Sequence, residues 1–170
     1  MKIKIEILNK SHYRKDFNCG NEVLNNYLKK QASQDVKKKL AVCFVYVELD
    51  DKIEYVKGYF TLSNYGISRA LIPENLSNKF PRSYLTIPTT LIGRLARDLN
   101  CRQSRVGESL LINALHKAYQ SSLKLASYAV VVDAIDDNAI NFYEKYGFKL
   151  LDSKKLFLPM GTIIKLFEIG

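Results

Sequence analysis

The 170-residue chain lacks the features that mark several protein classes. No apolar run approaches the ~18 residues of a membrane-spanning helix. The first residues, Met1-Lys2-Ile3-Lys4-Ile5-Glu6, alternate charged and apolar side chains. A secretion signal needs a continuous apolar core instead, so a cytoplasmic location is the default expectation and no membrane partner is expected. Three cysteines, Cys19, Cys43 and Cys101, are odd in number, far apart and without CxxC spacing. That argues against a disulfide framework and a zinc site; reduced, structural thiols are expected. The two histidines, His12 and His116, stand isolated and read as surface or packing residues. No metal site is expected. Internal repeats and low-complexity tracts are absent.

What is present points to one folded domain spanning residues 1–170, since 47% of the chain is hydrophobic. The net charge of +9 is unevenly spread. Residues 1–40 carry ten Lys/Arg against four Asp/Glu, and residues 91–128 carry six against two, whereas the rest is nearly balanced. Clustered cations of this kind form either a solvated face or a surface that attracts a polyanion.

Period-two alternation over Lys2–Leu8 predicts a strand. Leu24, Tyr27, Leu28, Gln31 and Ala32 share a helical face, with Asn21 as N-cap and Glu22 in the first turn. Strands over 40–48 and 53–67 form a hairpin across Leu49-Asp50-Asp51-Lys52, the second with a break near Asn64-Tyr65-Gly66. Residues 68–90, with three of the four prolines, read as a connecting segment with a short helix over 74–79. A buried strand (Thr90 to Ala96, ending by Asp98) leads through an arginine-bearing loop to a helix over 104–121. That helix buries Val106, Leu110, Leu111, Ala114 and Ala118. A strand over 127–134 precedes a helix that starts at Asp136-Asp137 and ends near Tyr146, with Gly147 as its C′ residue. Leu150-Leu151 and the stretch 162–169 close the chain as strands.

Three segments carry chemistry: Gly93-Arg94-Leu95-Ala96-Arg97-Asp98, the loop Arg102-Gln103-Ser104-Arg105-Val106-Gly107, and Ala139-Ile140-Asn141-Phe142-Tyr143-Glu144-Lys145-Tyr146-Gly147-Phe148. In order and spacing they resemble the GNAT family of N-acetyltransferases. More narrowly they resemble its acetyltransferase toxins of type II toxin–antitoxin systems. Phe17-Asn18-Cys19-Gly20 followed by Leu24-Asn25-Asn26-Tyr27-Leu28 is similar to that branch's N-terminal signature, and Leu158-Pro159-Met160 to its C-terminal end. The resemblance implies an α/β fold with a mixed, mostly antiparallel central sheet flanked by helices, in a single acetyltransferase domain. It implies acetyl-CoA as co-substrate. Backbone groups of Leu95, Ala96 and Arg97 would pair with the pantetheine arm, and the loop Arg102, Gln103, Ser104, Arg105, Val106, Gly107 would wrap the pyrophosphate. Asp136 and Phe142 would lie along the cofactor, and Tyr143 would be the acid that protonates the leaving sulfur. Aminoacyl-tRNA, an antitoxin protein and a second copy of the chain are the further partners it implies.

Two features of these residues stand apart from the resemblance. A loop that opens a helix offers unpaired N–H groups and the positive end of the dipole, which favour phosphate in any family. The family pattern, Gln/Arg-x-x-Gly-x-Gly/Ala, has glycine where this chain has Arg105. An arginine there must keep an allowed backbone or accept strain, against which its charge can contact phosphate. No general base is evident on the strand before the loop. Asp98 is the nearest carboxylate and reads more simply as a strand-end residue. A lysine amine needs deprotonation, whereas an α-amine near ~7.7–8.0 is largely ready at neutral pH. The chemistry that the resemblance implies is acetyl transfer to a primary amine, with the α-amine of aminoacyl-tRNA as acceptor, which the missing base and the basic surface suit. Transfer to a protein or small-molecule amine, and a non-catalytic relic that binds RNA or a partner protein, are the two alternatives.

Overall fold

The computed structural model describes residues 2–101 and 105–168. The chain forms two compact units of interleaved sequence. The first is built from the chain up to Ser63 together with Gly93–Ala114, the second from Asn64–Ile92 together with the chain from Leu115.

In the first unit, β1 (Lys2–Ile7) pairs antiparallel with β3 (Val42–Asp50), from Lys2 opposite Leu49 to Ile7 opposite Phe44. β3 pairs antiparallel with β4 (Ile53–Ser68), with a register shift at Tyr46/Val47. The two-residue strand β2 (His12–Tyr13) lies parallel to β4, His12 opposite Glu54. The far side of β4 meets the end of β5 (Thr86–Arg97), where Asp98 N donates to Lys57 O at 2.8 Å. Asn21 is the expected cap: its side chain accepts from Leu24 N at 3.1 Å. Helix α1 (Glu22–Asn26) runs through a π-helical turn (Tyr27–Gln31) into α2 (Ala32–Lys38). Leu24, Leu28 and Ala32 pack from it onto Val45, Val47, Val56 and Tyr59 of the sheet. The Tyr59 hydroxyl donates to Leu24 O at 2.8 Å, so the one polar atom of this ring is satisfied inside the core. Helix α4 (Val106–Ser122) starts in this unit and buries the five apolar residues expected of it. Gly58 admits the helix: a Cβ there would stand 2.9 Å from Leu110 Cδ1 and 3.3 Å from Ala96 O.

In the second unit the strand order is β4-β5-β6-β8-β7, β4 and β5 running on from the first. β5 and β6 (Ala129–Asp133) pair parallel over Thr90–Val130 to Ile92–Val132. β6 pairs antiparallel with β8 (Lys155–Pro159), and β8 with β7 (Lys149–Asp152). Ile67, Ile72, Ile87, Ala129, Val131 and Phe157 form its core. A short helix, α3 (Glu74–Ser77), lies in the proline-rich stretch, and α5 (Asp137–Lys145) ends at Gly147, whose φ of +93° is the left-handed C′ conformation. The fold is thus α/β with a mostly antiparallel sheet flanked by helices. No helix among the described residues is long and apolar enough to cross a membrane.

Three local expectations change. β4 is unbroken through Asn64-Tyr65-Gly66; glycine serves close approach there, since a Cβ on Gly66 would fall 2.6 Å from Thr86 Cγ2. β5 begins at Thr86, through Pro88, before its ladder with β6 starts, so the proline removes no bond from that ladder. The end of the chain is a helix, α6 (Met160–Glu168), where the β-branched run Thr162-Ile163-Ile164 suggested a strand. Met160 and Ile163 are buried, and Phe167 meets the rings of His116 and Tyr119. These three positions fall at spacings of three and four, so tertiary packing of a helical face overrides β propensity.

His12 is not a surface residue but a buried one, 4% exposed, within a charged cluster. Its Nδ1 accepts from Asn9 N at 3.0 Å, which assigns the proton to Nε2, and Nε2 donates to Glu6 Oε1 at 2.7 Å. Lys4 bridges Glu6 and Glu54. Glu6, His12 and Glu54 have the spacing of a metal-ligand set, but the Lys4 ammonium already sits between the two carboxylates. Hydrogen bonds from Lys4 and then His12 hold the Glu6 carboxyl below its ordinary value, and Lys4 and then Ser11 do the same for Glu54. A depressed carboxylate contributes stability that is present above its unfolded value and lost as pH falls through the folded one. The urea midpoint should therefore stay level from pH 7 towards the ordinary glutamate value of 4.5 and fall below it. A Glu6→Gln, Glu54→Gln double variant should show a shallower acid slope; an unchanged slope would remove the cluster from the acid response.

Candidate active site

The end of β5 is held by a set of hydrogen bonds centred on Asp98, which is 3% exposed. Its carboxylate accepts from Asn18 N at 3.0 Å and from Asn100 N at 2.7 Å. Leu99 N donates back to Asn18 O at 2.8 Å. The Asn18 side chain accepts from Gly20 N and from Asn25 Nδ2, and Asn25 Oδ1 accepts from Cys19 N at 2.9 Å. Gly20 has φ +85°, which the tight turn requires. The segment Phe17 to Asn25 is therefore a clamp on the β5 terminus, with Phe17 buried edge-on against Tyr59. Asp98 is committed to that clamp, as its position at the strand end suggested.

β5 carries Leu95, Ala96 and Arg97, the first half-buried, the second buried and the third exposed. They lie beyond Ile92, the last residue of β5 in its ladder with β6. Arg94, just before them, stacks its guanidinium 3.6 Å from the centroid of the Tyr27 ring, and the Tyr27 hydroxyl donates to Asp35 at 2.9 Å. Arg102, Gln103 and Ser104 lie outside the described residues. Arg105 follows with φ +68°, the left-handed conformation, at the position where the family pattern has glycine. Its carbonyl accepts the first α4 bond, from Ser109 N at 2.9 Å. The N–H groups of Val106, Gly107 and Glu108 precede that bond and have no partner within the helix itself. The Arg105 side chain is 82% exposed and stands 3.8 Å from Glu108, a surface pair of small energetic weight.

The second unit holds the other three candidates. Asp136 is the N-cap of α5: its carboxylate accepts from Ala139 N at 2.8 Å. Sequence reasoning started the helix at Asp136-Asp137 and also placed Asp136 on the cofactor; the capping bond is what the structure shows. Phe142 is half-buried and meets Tyr143 edge-on at 5.2 Å. The Tyr143 ring is buried and also packs on Phe148 at 5.4 Å. Its hydroxyl is not left as a buried unpaired atom. Burial, and then the negative charge of Asp133, push the phenol above its ordinary value of 10.0. The phenol is thus protonated throughout the neutral range and able to donate.

The likeness of the chain to known proteins makes it an acetyl-CoA-dependent N-acetyltransferase. Known proteins define that class more narrowly: in sequence and in fold the chain is similar to the GNAT-fold acetyltransferase toxins of toxin–antitoxin systems. No family model matches it. Among curated proteins it is 29% identical, over 89% of this chain and 87% of the other, to a probable toxin TacT of Sinorhizobium fredii. It is 27% identical to the tRNA-acetylating toxin of Mycobacterium tuberculosis, over 85% and 82% of the two chains. A tyrosine-to-phenylalanine mutant of KacT superposes with a TM-score of 0.91 at 27% identity, covering 98% of this chain and all of that one. AtaT complexed with acetyl-methionyl-tRNAfMet gives 0.88 at 27% identity over 98% and 99%. A tyrosine-to-phenylalanine mutant of AtaT, bound to the C-terminus of the antitoxin AtaR and acetyl-CoA, gives 0.82 at 26% over 98% of each chain.

Two substitutions test this description. Asp98→Ala leaves two part-buried amides without an acceptor and should lower stability by about 1–2 kcal/mol, read from urea unfolding. Asp98→Asn, which keeps an acceptor oxygen, should lose less and retain turnover per folded molecule. Loss of turnover with stability intact would make Asp98 the base. Arg105→Gly relieves a left-handed backbone and should raise stability by about 1 kcal/mol. A drop in melting temperature would show that the arginine side chain stabilises the turn.

Proposed function

We propose that the chain transfers an acetyl group from acetyl-CoA to the α-amine of an aminoacyl-tRNA, and so acts as a toxin on translation. The observation that carries this is the full-length likeness to AtaT captured with its acetylated tRNA, at 27% identity. In this function the chain is one acetyltransferase domain. Backbone groups of Leu95, Ala96 and Arg97 pair with the pantetheine arm. The residues Arg102 to Gly107 hold the pyrophosphate, and Arg105 supports that role because it already has the backbone that glycine supplies elsewhere. Asp136, beyond its capping bond, and Phe142 flank the cofactor. An antitoxin protein is a partner, as AtaT is bound by AtaR, and the chain pairs with a second copy of itself.

The chemistry is direct attack. The neutral amine adds to the thioester carbonyl, the C–S bond breaks, and the electron pair leaves with sulfur. Tyr143 donates its proton towards that sulfur, and the proton released by the new amide nitrogen restores the balance. A phenol raised above its ordinary value does not remain ionised afterwards at neutral pH, so Tyr143 returns to its protonated state without a dedicated relay. The commitment of Asp98 to backbone amides supports an acceptor that needs no base, and an α-amine is such an acceptor.

Tyr143→Phe should keep the fold and acetyl-CoA affinity but lower turnover on aminoacyl-tRNA by about 10²–10⁴-fold, followed as release of CoA thiol. Wild-type turnover in the variant would remove Tyr143 from the mechanism. The pH profile follows from the same groups. The rate should rise as the acceptor amine loses its proton, level off above ~8, and show no fall by pH 9, because the Tyr143 phenol ionises only at higher pH. A decline between pH 7 and 9, measured on intact aminoacyl ester, would contradict this assignment.

A further inference from the structure

The first unit has a concave surface lined by none of the residues proposed to handle acetyl-CoA. It is a cavity of about 690 Å³ formed by residues 10–15, Lys29 of the π-helical turn, and Lys52-Ile53 at the start of β4. Lys10, Arg14, Lys15, Lys29 and Lys52 line it, and no carboxylate does. Among the described residues none of these five cations is ion-paired. Arg14 bonds only the neutral hydroxyl of Ser33, at 2.8 Å. The nearby acids have partners of their own: Asp16 accepts from the Tyr13 hydroxyl at 3.1 Å, and Glu6 and Glu54 share the Lys4 ammonium. Uncompensated positive charge in a concavity focuses its field and draws a polyanion.

The cations come from three separate segments, and the loop that carries three of them is fastened from beneath. Buried His12 ties it to Glu6 and to Asn9 N, and the Ser11 hydroxyl bonds Glu54 at 2.6 Å. The charges are thus held around a fixed hollow. Four of the five are lysines, which act as point charges rather than bidentate forks. That suits a chain of phosphates read by charge and spacing, not a single carboxylate or one phosphate group held in fixed geometry. Within this unit, β4 begins at Ile53 and its Lys57 carbonyl takes the N–H of Asp98, so the hollow lies at the end of the sheet from which the loop to α4 departs.

We infer that this cavity seats the phosphate backbone of the RNA substrate, as a docking site separate from the residues that handle acetyl-CoA. The inference rests on the proposed tRNA acceptor and adds where that tRNA is gripped. The test compares tRNA binding by wild type, a Lys10→Glu, Lys15→Glu, Lys52→Glu triple variant, and a control with the same charge change, Lys145→Glu, Lys149→Glu, Lys165→Glu. The cavity triple should weaken tRNA binding by at least about 10-fold. It should also make the log–log salt slope less steep by about 2–3, at roughly 0.7–0.9 per lost contact. Acetyl-CoA affinity and melting temperature should not change, and the control should lose under about 3-fold. Neutral Lys→Gln replacements at the three cavity positions should reproduce the change of slope. Equal losses in the cavity triple and the control would overturn the site, because net charge alone would then explain binding. Unchanged tRNA binding in the cavity triple, with wild type still acetylating aminoacyl-tRNA, would overturn the site and leave the proposed function intact. Loss of polyglutamate binding with tRNA binding unchanged would assign the cavity to an acidic protein segment instead. A wild type that neither binds nor acetylates aminoacyl-tRNA would remove the function and the site together.

Discussion

A buried carboxylate holds the working end of the first unit. Asp98 takes two backbone N–H groups from opposite directions, one in the loop before α1 and one just beyond β5. A buried charge is tolerated only where its oxygens are satisfied, so the loop and the strand end must meet for either to be stable. The amide of Asp98 on β4, the Asn18–Leu99 bond and the Asn25 side chain complete the junction. The chain leaves this fixed point for the segment that opens α4.

The same anchoring shapes the chemistry. A carboxylate whose oxygens are committed to two backbone amides is not free to serve an incoming amine, and an enzyme built this way suits acceptors that arrive deprotonated. The α-amine of an aminoacyl ester meets that condition at neutral pH; a lysine side chain does not. Substrate class is thereby linked to a structural hydrogen bond. Tyr143 is the complementary case: burial among aromatic rings raises its phenol, so it stays protonated at neutral pH, as the proposed acid requires. The distribution of lysines supplies the remaining requirement, attraction of a large polyanion. The cavity near β2 gathers five cations that have no ion pair among the described residues, whereas Lys37, Lys38 and Lys39, the more conspicuous run in the sequence, form an exposed helix end with Lys39 in a left-handed cap.

Much of this was legible before the structure, and the exceptions have physical causes. The hairpin of β3 and β4, the buried face of α4, the Asn21 cap and the Gly147 stop all rest on local rules: period, capping geometry and positive φ. Near Gly66 the glycine reports the approach of another strand, which no local rule contains. The terminal helix was misjudged because Thr162-Ile163-Ile164 favours a strand locally, while Met160, Ile163 and Phe167 obtain their burial as a helical face. His12 looked isolated because its partners, Glu6 and Glu54, come together only through strand pairing. Near the proposed site, the motif order singled out Leu95 to Arg97 and Tyr143 as candidates, whereas the clamp formed by Asn18 and Asn25 depends on contacts between side chains and backbone amides that spacing alone does not reveal.

Identifying the product tests the central claim most directly. Purified protein would be incubated with acetyl-CoA and a mixed pool of aminoacyl-tRNAs, the RNA digested to its terminal nucleosides, and the aminoacyl-adenosines weighed by mass spectrometry. The account predicts one or more species heavier by a single acetyl group on the α-nitrogen, formed only when acetyl-CoA is present. Unmodified aminoacyl-adenosines throughout, alongside acetylation of lysine or of a small amine by the same preparation, would contradict it.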